Sequence, residues 1–132
     1  MIDASVVAAW VLPDEDGAAA ASLVACAPGQ ALAVPFHFPA EIGNVVVTSE
    51  RRGRSTPEQT RIARDGVRIL SFDIDAGGFN TVWGTAHPLA IRHGLTLYDA
   101  LYLELALRRN LPLATFDKEL RRAAEAEGVR LA

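Results

Sequence analysis

Four acidic residues stand where a carboxylate can do chemistry. Asp3 closes a two-residue apolar start, and Glu41 lies in the first turn of a helix-like apolar stripe. Asp99 lies in the first turn after Thr96, and Asp117 follows the apolar run 111–114 with Thr115 between. Open parallel sheets bind ligands beyond the carboxyl ends of their strands, and helix N-termini favour anions. Each acid alone has an ordinary explanation: Asp3 and Asp117 as helix caps, Asp99 as the fourth member of a capping box, Glu41 as a first-turn glutamate. Brought together, carboxylates repel by about 4 kcal/mol per pair at ~4 Å in a surface-like dielectric. Only a cation neutralises such a cluster. Oxygen ligands select hard ions such as Mg²⁺ or Mn²⁺, which keep waters and bind substrate phosphate.

The elements that must position these acids read as short apolar strands alternating with helices. A helix is expected over 4–12, ended by Pro13 and Asp14-Glu15-Asp16, and an alanine-rich one over 17–27, stopped by Pro28-Gly29. A strand over 31–34 leads to a helix from Pro39, with Ile42, Val45, Val46 and Ser49 as its core stripe and Arg51-Arg52-Gly53 at its end. Thr56 and Pro57 start a helix running to about Val67, and 68–74 reads as a strand. Further helices are expected over 79–91, 97–109 and 118–127, with strands over 111–114 and 129–131. The order predicts an α/β fold of three α/β/α layers around a short central parallel sheet.

Composition narrows the class. The 132 residues, 50% hydrophobic and 22% charged, fit a single domain over 1–132 and exclude a disordered chain. The single cysteine, Cys26, cannot form an intrachain disulfide and reads as a buried reduced thiol. No apolar stretch approaches a membrane span and no leader-like segment opens the chain, so a cytoplasmic protein is expected. A net charge of −3 argues, taken alone, against a nucleic-acid partner.

Competing chemistries lack their residues. His37, His87 and His93 have no metal-pair spacing and read as surface or satisfied histidines. There is no G-x-S-x-G elbow and no phosphate-cradling glycine loop. Phe72-Asp73-Ile74-Asp75 resembles a haloacid-dehalogenase start, but Gly77 stands where a hydroxyl is needed. Asp3-Ala4-Ser5 begins an adhesion-type D-x-S-x-S metal motif that Val7 breaks.

Four segments resemble the motifs of PIN-domain ribonucleases, and among them the VapC toxins of bacterial toxin–antitoxin pairs. They are Ile2-Asp3-Ala4-Ser5, Pro39-Ala40-Glu41-Ile42-Gly43-Asn44, Leu95-Thr96-Leu97-Tyr98-Asp99-Ala100-Leu101-Tyr102 and Leu113-Ala114-Thr115-Phe116-Asp117-Lys118-Glu119-Leu120. The resemblance covers nearly the whole chain. It implies a PIN fold and Mg²⁺- or Mn²⁺-dependent cleavage of RNA to 5′-phosphate and 3′-hydroxyl ends. It assigns Asp3, Glu41, Asp99 and Asp117 to catalysis, with Asp3, Asp99 and Asp117 as metal ligands and Ser5, Asn44 and Thr115 in support. It also implies a homodimer and a VapB antitoxin laid helix-in-groove across an apolar surface. Family members usually carry several apolar residues before the first aspartate, so with two here a very short first strand is expected, with residues further upstream an open alternative. A PIN-fold protein acting mainly in a regulatory complex with its antitoxin on operator DNA is the alternative function.

Twelve arginines and Lys118 could grip an RNA backbone, although most arginines read as solvated faces. Arg51, Arg52 and Arg54 cluster after the Glu41 helix, Arg61, Arg64 and Arg68 share one helical face, and Lys118 is the basic residue nearest a proposed ligand. Setting the four site acids aside leaves the rest of the chain at +1, so the acidic balance does not exclude an RNA substrate.

Overall fold

A computed structural model describes residues 1–12, 17–25 and 31–132. The burial of Cys26, the helix-ending role of Pro13 and the acidic triplet, and the Pro28-Gly29 stop lie outside those residues. The helices are α1 (Ala4–Val11), α2 (Gly17–Ala25), α3 (Phe38–Arg51), α4 (Pro57–Ile69), a π-helical turn pair (Thr81–Ala86) running into α5 (His87–His93), α6 (Leu97–Arg109) and α7 (Lys118–Ala126). Strands β1 (Leu32–Val34) and β2 (Phe72–Ile74) pair in parallel.

The sheet is wider than its two named strands. Ile2 donates its N–H to Ala33 of β1 and bridges in parallel to Ala114, and Leu113 bridges in parallel to Leu131. Numbered along the chain, five parallel segments lie in the order 3-2-1-4-5. Three of them are reduced to bridges. The first is as short as two residues before Asp3 dictate, and the last pairs only at Leu131. The strand expected over 68–74 is shorter, because α4 continues to Ile69 and pairing starts at Phe72.

Local chemistry explains the helices that matter to the site. Thr56 and Gln59 form a reciprocal capping box at α4, and Pro39 sits in the first turn of α3. Gly94 adopts a left-handed φ of 66° after α5, which turns the chain within two residues into α6. Asn110, at φ 50°, does the same on leaving α6. Helix α6 is the central pillar, with every side chain from Ala100 to Ala106 buried. Val6, Val7, Phe38, Ile42, Tyr102, Leu103 and Leu113 share one core. Helix α1 packs on α2, α3 and α4, while α6 packs on the π segment, α5 and α7, so helices flank the sheet in two groups.

Candidate active site

The strand order reverses between the first and fourth segments, where a ligand crevice forms in an open α/β sheet. Asp3 leaves the first segment there, and its N–H donates to Ala114 O at 2.9 Å. Asp3 occupies the cap position of α1 but makes no side-chain cap bond, so the ordinary explanation for it fails. Its Oδ2 instead accepts Ser5 Oγ at 2.5 Å and Thr115 Oγ1 at 2.7 Å. Ser5 Oγ also accepts the Phe116 N–H, and Thr115 Oγ1 the Asp117 N–H. The two supporting hydroxyls therefore tie the first and fourth segments together beneath Asp3.

The helix-borne acids come in from both sides. At α6, Thr96 caps by accepting the Asp99 N–H, while its hydroxyl donates to Asp99 Oδ2 at 2.6 Å. The reciprocal bond of a full capping box is absent among the described residues. Asp117 does cap α7, with Oδ1 accepting the Leu120 N–H at 2.7 Å. Glu41, in the first turn of α3, gives Oε2 to the Tyr102 hydroxyl of α6 at 2.6 Å.

All four carboxylates therefore commit one oxygen to the protein. The other oxygen, Asp3 Oδ1, Glu41 Oε1, Asp99 Oδ1 or Asp117 Oδ2, has no protein hydrogen bond among the described residues. Burial pushes Asp3 above the usual carboxylate range; Ser5 and Thr115 oppose that, and the charges of Glu41 and Asp99 add to it. Asp99 is also raised, first by burial against the opposing Thr96 bond, then by Asp117 and Glu41. These mutual effects place the four acids in one electrostatic neighbourhood. Among the described residues, no three His, Cys, Asp or Glu side chains stand as a closed ligand set. The fit to a divalent cation rests on donor chemistry: crowded, partly buried carboxylates with free oxygens suit a hard ion.

Glu41 departs from that pattern. Burial pushes it up, but the His37 imidazole and the Tyr102 hydroxyl outweigh burial and hold it below the usual range. His37 Nε2 lies 3.3 Å from Glu41 Oε2, within ion-pair reach, yet it is not aligned as a hydrogen bond. Tyr102 is therefore the firm donor. The hydroxyl of Tyr102 is itself raised by burial and by Glu41 and Asp3.

Residues beyond the expected set enter the site. His37 is buried, not a surface or satisfied histidine, because three aromatic rings enclose it. Its i, i+4 spacing to Glu41 was the available signal. Tyr102 lies one turn after Asp99, and Arg121 one turn after Asp117, with its guanidinium 3.3 Å from Thr115 O. Lys118 is exposed at the start of α7. Asn44 is exposed and lines a cavity of about 370 Å³ with Ser5, Arg52 and Arg54. Arg61, Arg64 and Arg68 lie away from the acids, on the rim of a groove of about 490 Å³ between α3 and α4.

The PIN domain signature matches residues 1–126. The chain belongs to the PIN domain family. Its fold agrees with that membership. The PIN chain is 28% identical to Ribonuclease VapC3 of Pyrobaculum aerophilum over 120 residues, which cover 91% of this chain and 90% of that protein. The crystal structure of PAE2754 from Pyrobaculum aerophilum superposes with a TM-score of 0.67 at 25% identity, covering 92% of this chain and 76% of that one.

Proposed function

We propose that this PIN domain, acting as a single unit over 1–132, is a Mg²⁺- or Mn²⁺-dependent endoribonuclease and the toxin of a cytoplasmic toxin–antitoxin pair. One observation carries the reading. Four carboxylates at the switch point of the sheet each keep an oxygen free of protein partners among the described residues. Similarity to a protein named a VapC ribonuclease supports it. Asp3, Asp99 and Asp117 would hold the cation. The bound ion would supply charge stabilisation at the phosphate and a more acidic water. Glu41, kept ionised by its neighbours, orients the attacking water. Asp3 stays fixed by Ser5 and Thr115, while Asn44, Arg52 and Arg54 offer the RNA backbone a polar and basic path leading to Ser5.

Two surfaces support the assembly that goes with this reading. The groove between α3 and α4 is lined by Ile42, Val46, Val47 and Val67 and rimmed by Arg61, Arg64 and Arg68, which suits an amphipathic antitoxin helix with acidic flanks. Phe79, Trp83 and Ile91 stand exposed along the π segment and α5, which suits a homodimer contact. The groove also favours the second reading, a PIN-fold partner acting with its antitoxin on operator DNA.

The deciding experiment incubates antitoxin-free protein with total RNA and Mg²⁺, Mn²⁺ or EDTA, beside Asp99→Asn. Metal-dependent cleavage lost in the variant is expected. Cleavage that survives EDTA or Asp99→Asn overturns the metal assignment, and no cleavage of any RNA favours the binding reading.

A further inference from the structure

Among the described residues, His37 is the buried side chain whose polar atoms both lack a hydrogen-bond partner. Its side chain is only 8% exposed. The ring lies edge-on to Tyr102 at 5.2 Å, tilted against Tyr98 at 5.3 Å, and edge-on to Phe36 at 5.8 Å. Such an aromatic slot would take phenylalanine without desolvating two ring nitrogens. His37 also precedes α3 in helical backbone geometry and makes no side-chain cap bond, so capping does not account for it. What an imidazole adds here is Nε2, 3.3 Å from Oε2 of Glu41. The same oxygen accepts the Tyr102 hydroxyl, and Oε1 has no protein partner among the described residues.

We propose that His37 is a positioning residue that, with Tyr102, clamps Oε2 of Glu41 and leaves Oε1 as the oxygen that acts in the cleft. The two donors approach from different elements: Tyr102 from α6 and His37 from the start of α3. A carboxylate held through one oxygen from two directions cannot swing about its terminal torsion, which is otherwise broad. The clamp requires the proton on Nε2 and leaves Nδ1 bare. Nε2 lies 3.3 Å from Oε2 without hydrogen-bond alignment, so the clamp requires the ring to turn within its slot. Asp3 and Asp99, the charged groups that Glu41 itself pushes up, are acids, so they leave the donor role to His37 and Tyr102.

The activity arm of the test rests on the ribonuclease reading, and the spectroscopic arm does not. His37→Phe fills the slot and removes the donor. It is expected to lower kcat for RNA cleavage roughly 10- to 100-fold with KM little changed, the scale seen when a group that orients a reacting residue is lost. His37→Gln, whose amide can donate, is expected to recover part of that loss. Unchanged kcat in His37→Phe, or a loss that only tracks its folded fraction, overturns the proposal. Where His37→Phe fails to fold, His37→Gln and the spectrum decide. In metal-free, RNA-free protein, long-range ¹⁵N–¹H spectra should show His37 as the Nε2–H tautomer with a slowly exchanging proton that shifts in Glu41→Gln. The Nδ1–H tautomer, or a His37 signal indifferent to Glu41→Gln, overturns the clamp. If the wild-type protein cleaves no RNA, the ribonuclease reading fails while this spectrum still decides the clamp.

Discussion

Asp3 on the cleft floor and Glu41 on its aromatic wall each give one oxygen to hydroxyl donors, yet they end on opposite sides of the usual carboxylate range. On the floor, two hydroxyls do not offset burial and the charges of Glu41 and Asp99. On the wall, Tyr102 and the nearby imidazole do offset burial. Environments that push two acids apart assign them different work. Glu41 is held ionised by its neighbours, which suits a group that orients the attacking water. Asp3 ionises at a cost that a cation would remove, which suits a ligand.

Asp3→Asn tests the floor most directly. The amide oxygen can still accept from Ser5 and Thr115, so the fold should persist, and metal-free stability should equal or exceed that of the wild type because a crowded charge is gone. RNA cleavage should fall roughly 10³-fold, about 4 kcal/mol of transition-state stabilisation. Parallel cleavage rates and denaturant melts measure both. Retained activity would show that Asp3 only builds the floor.

Cation binding sharpens the same contrast at the next scale. Mn²⁺ or Mg²⁺ at ~100 times its dissociation constant stabilises the folded chain by about 2.7 kcal/mol. For a chain of this size that is a Tm rise of roughly 10 °C. Calorimetry should find the rise in the wild type and lose it in Asp3→Asn or Asp99→Asn. An equal rise in all three would place the cation elsewhere. Tyr102→Phe comes third. It strips the firm donor from Glu41 and should cost about 1.5 kcal/mol in a urea melt, the lower end for a hydrogen bond to a charged group. No change would mean that the hydroxyl bonds to water as well as it bonds to Glu41.

The two regions also differed in how readable they were. The floor was legible because its residues are neighbours in short motifs: Asp3 with Ser5, and Thr115 with Asp117, each at strand ends. Helices α4, α6 and α7 were legible from their caps, since Thr56, Thr96 and Asp117 act within three residues. The wall was not. The bond between Tyr102 and Glu41 spans 61 positions, and nothing local distinguishes that tyrosine from a core residue. His37 was misjudged because burial by Phe36, Tyr98 and Tyr102 is a tertiary fact. The start of the strand expected over 68–74 was placed too early for a related reason: residues 68–69 belong to α4, and pairing with β1 alone decides where the strand begins.

The smallest effect is in the pH dependence of metal-free stability, and it separates floor from wall by sign. Asp3 and Asp99 are raised, so between the ordinary carboxylate value and their own the folded chain binds more protons than the unfolded one. Stability therefore falls as pH rises through that window, and the full penalty stands above it. Glu41 is lowered, so its window lies beneath the ordinary value. There the unfolded chain binds more protons, and stability falls as pH falls. Asp3→Asn should flatten chiefly the upper limb, leaving the part due to Asp99, and Glu41→Gln should remove the lower limb while trimming the upper one, because its charge also raises Asp3 and Asp99. Equilibrium melts from pH 3 to 8 without divalent metal would resolve the two limbs. A variant whose larger effect fell on the limb assigned to the other residue would reverse the roles given to floor and wall, since the acid that is costly to ionise in the folded chain is the one whose charge a cation would relieve.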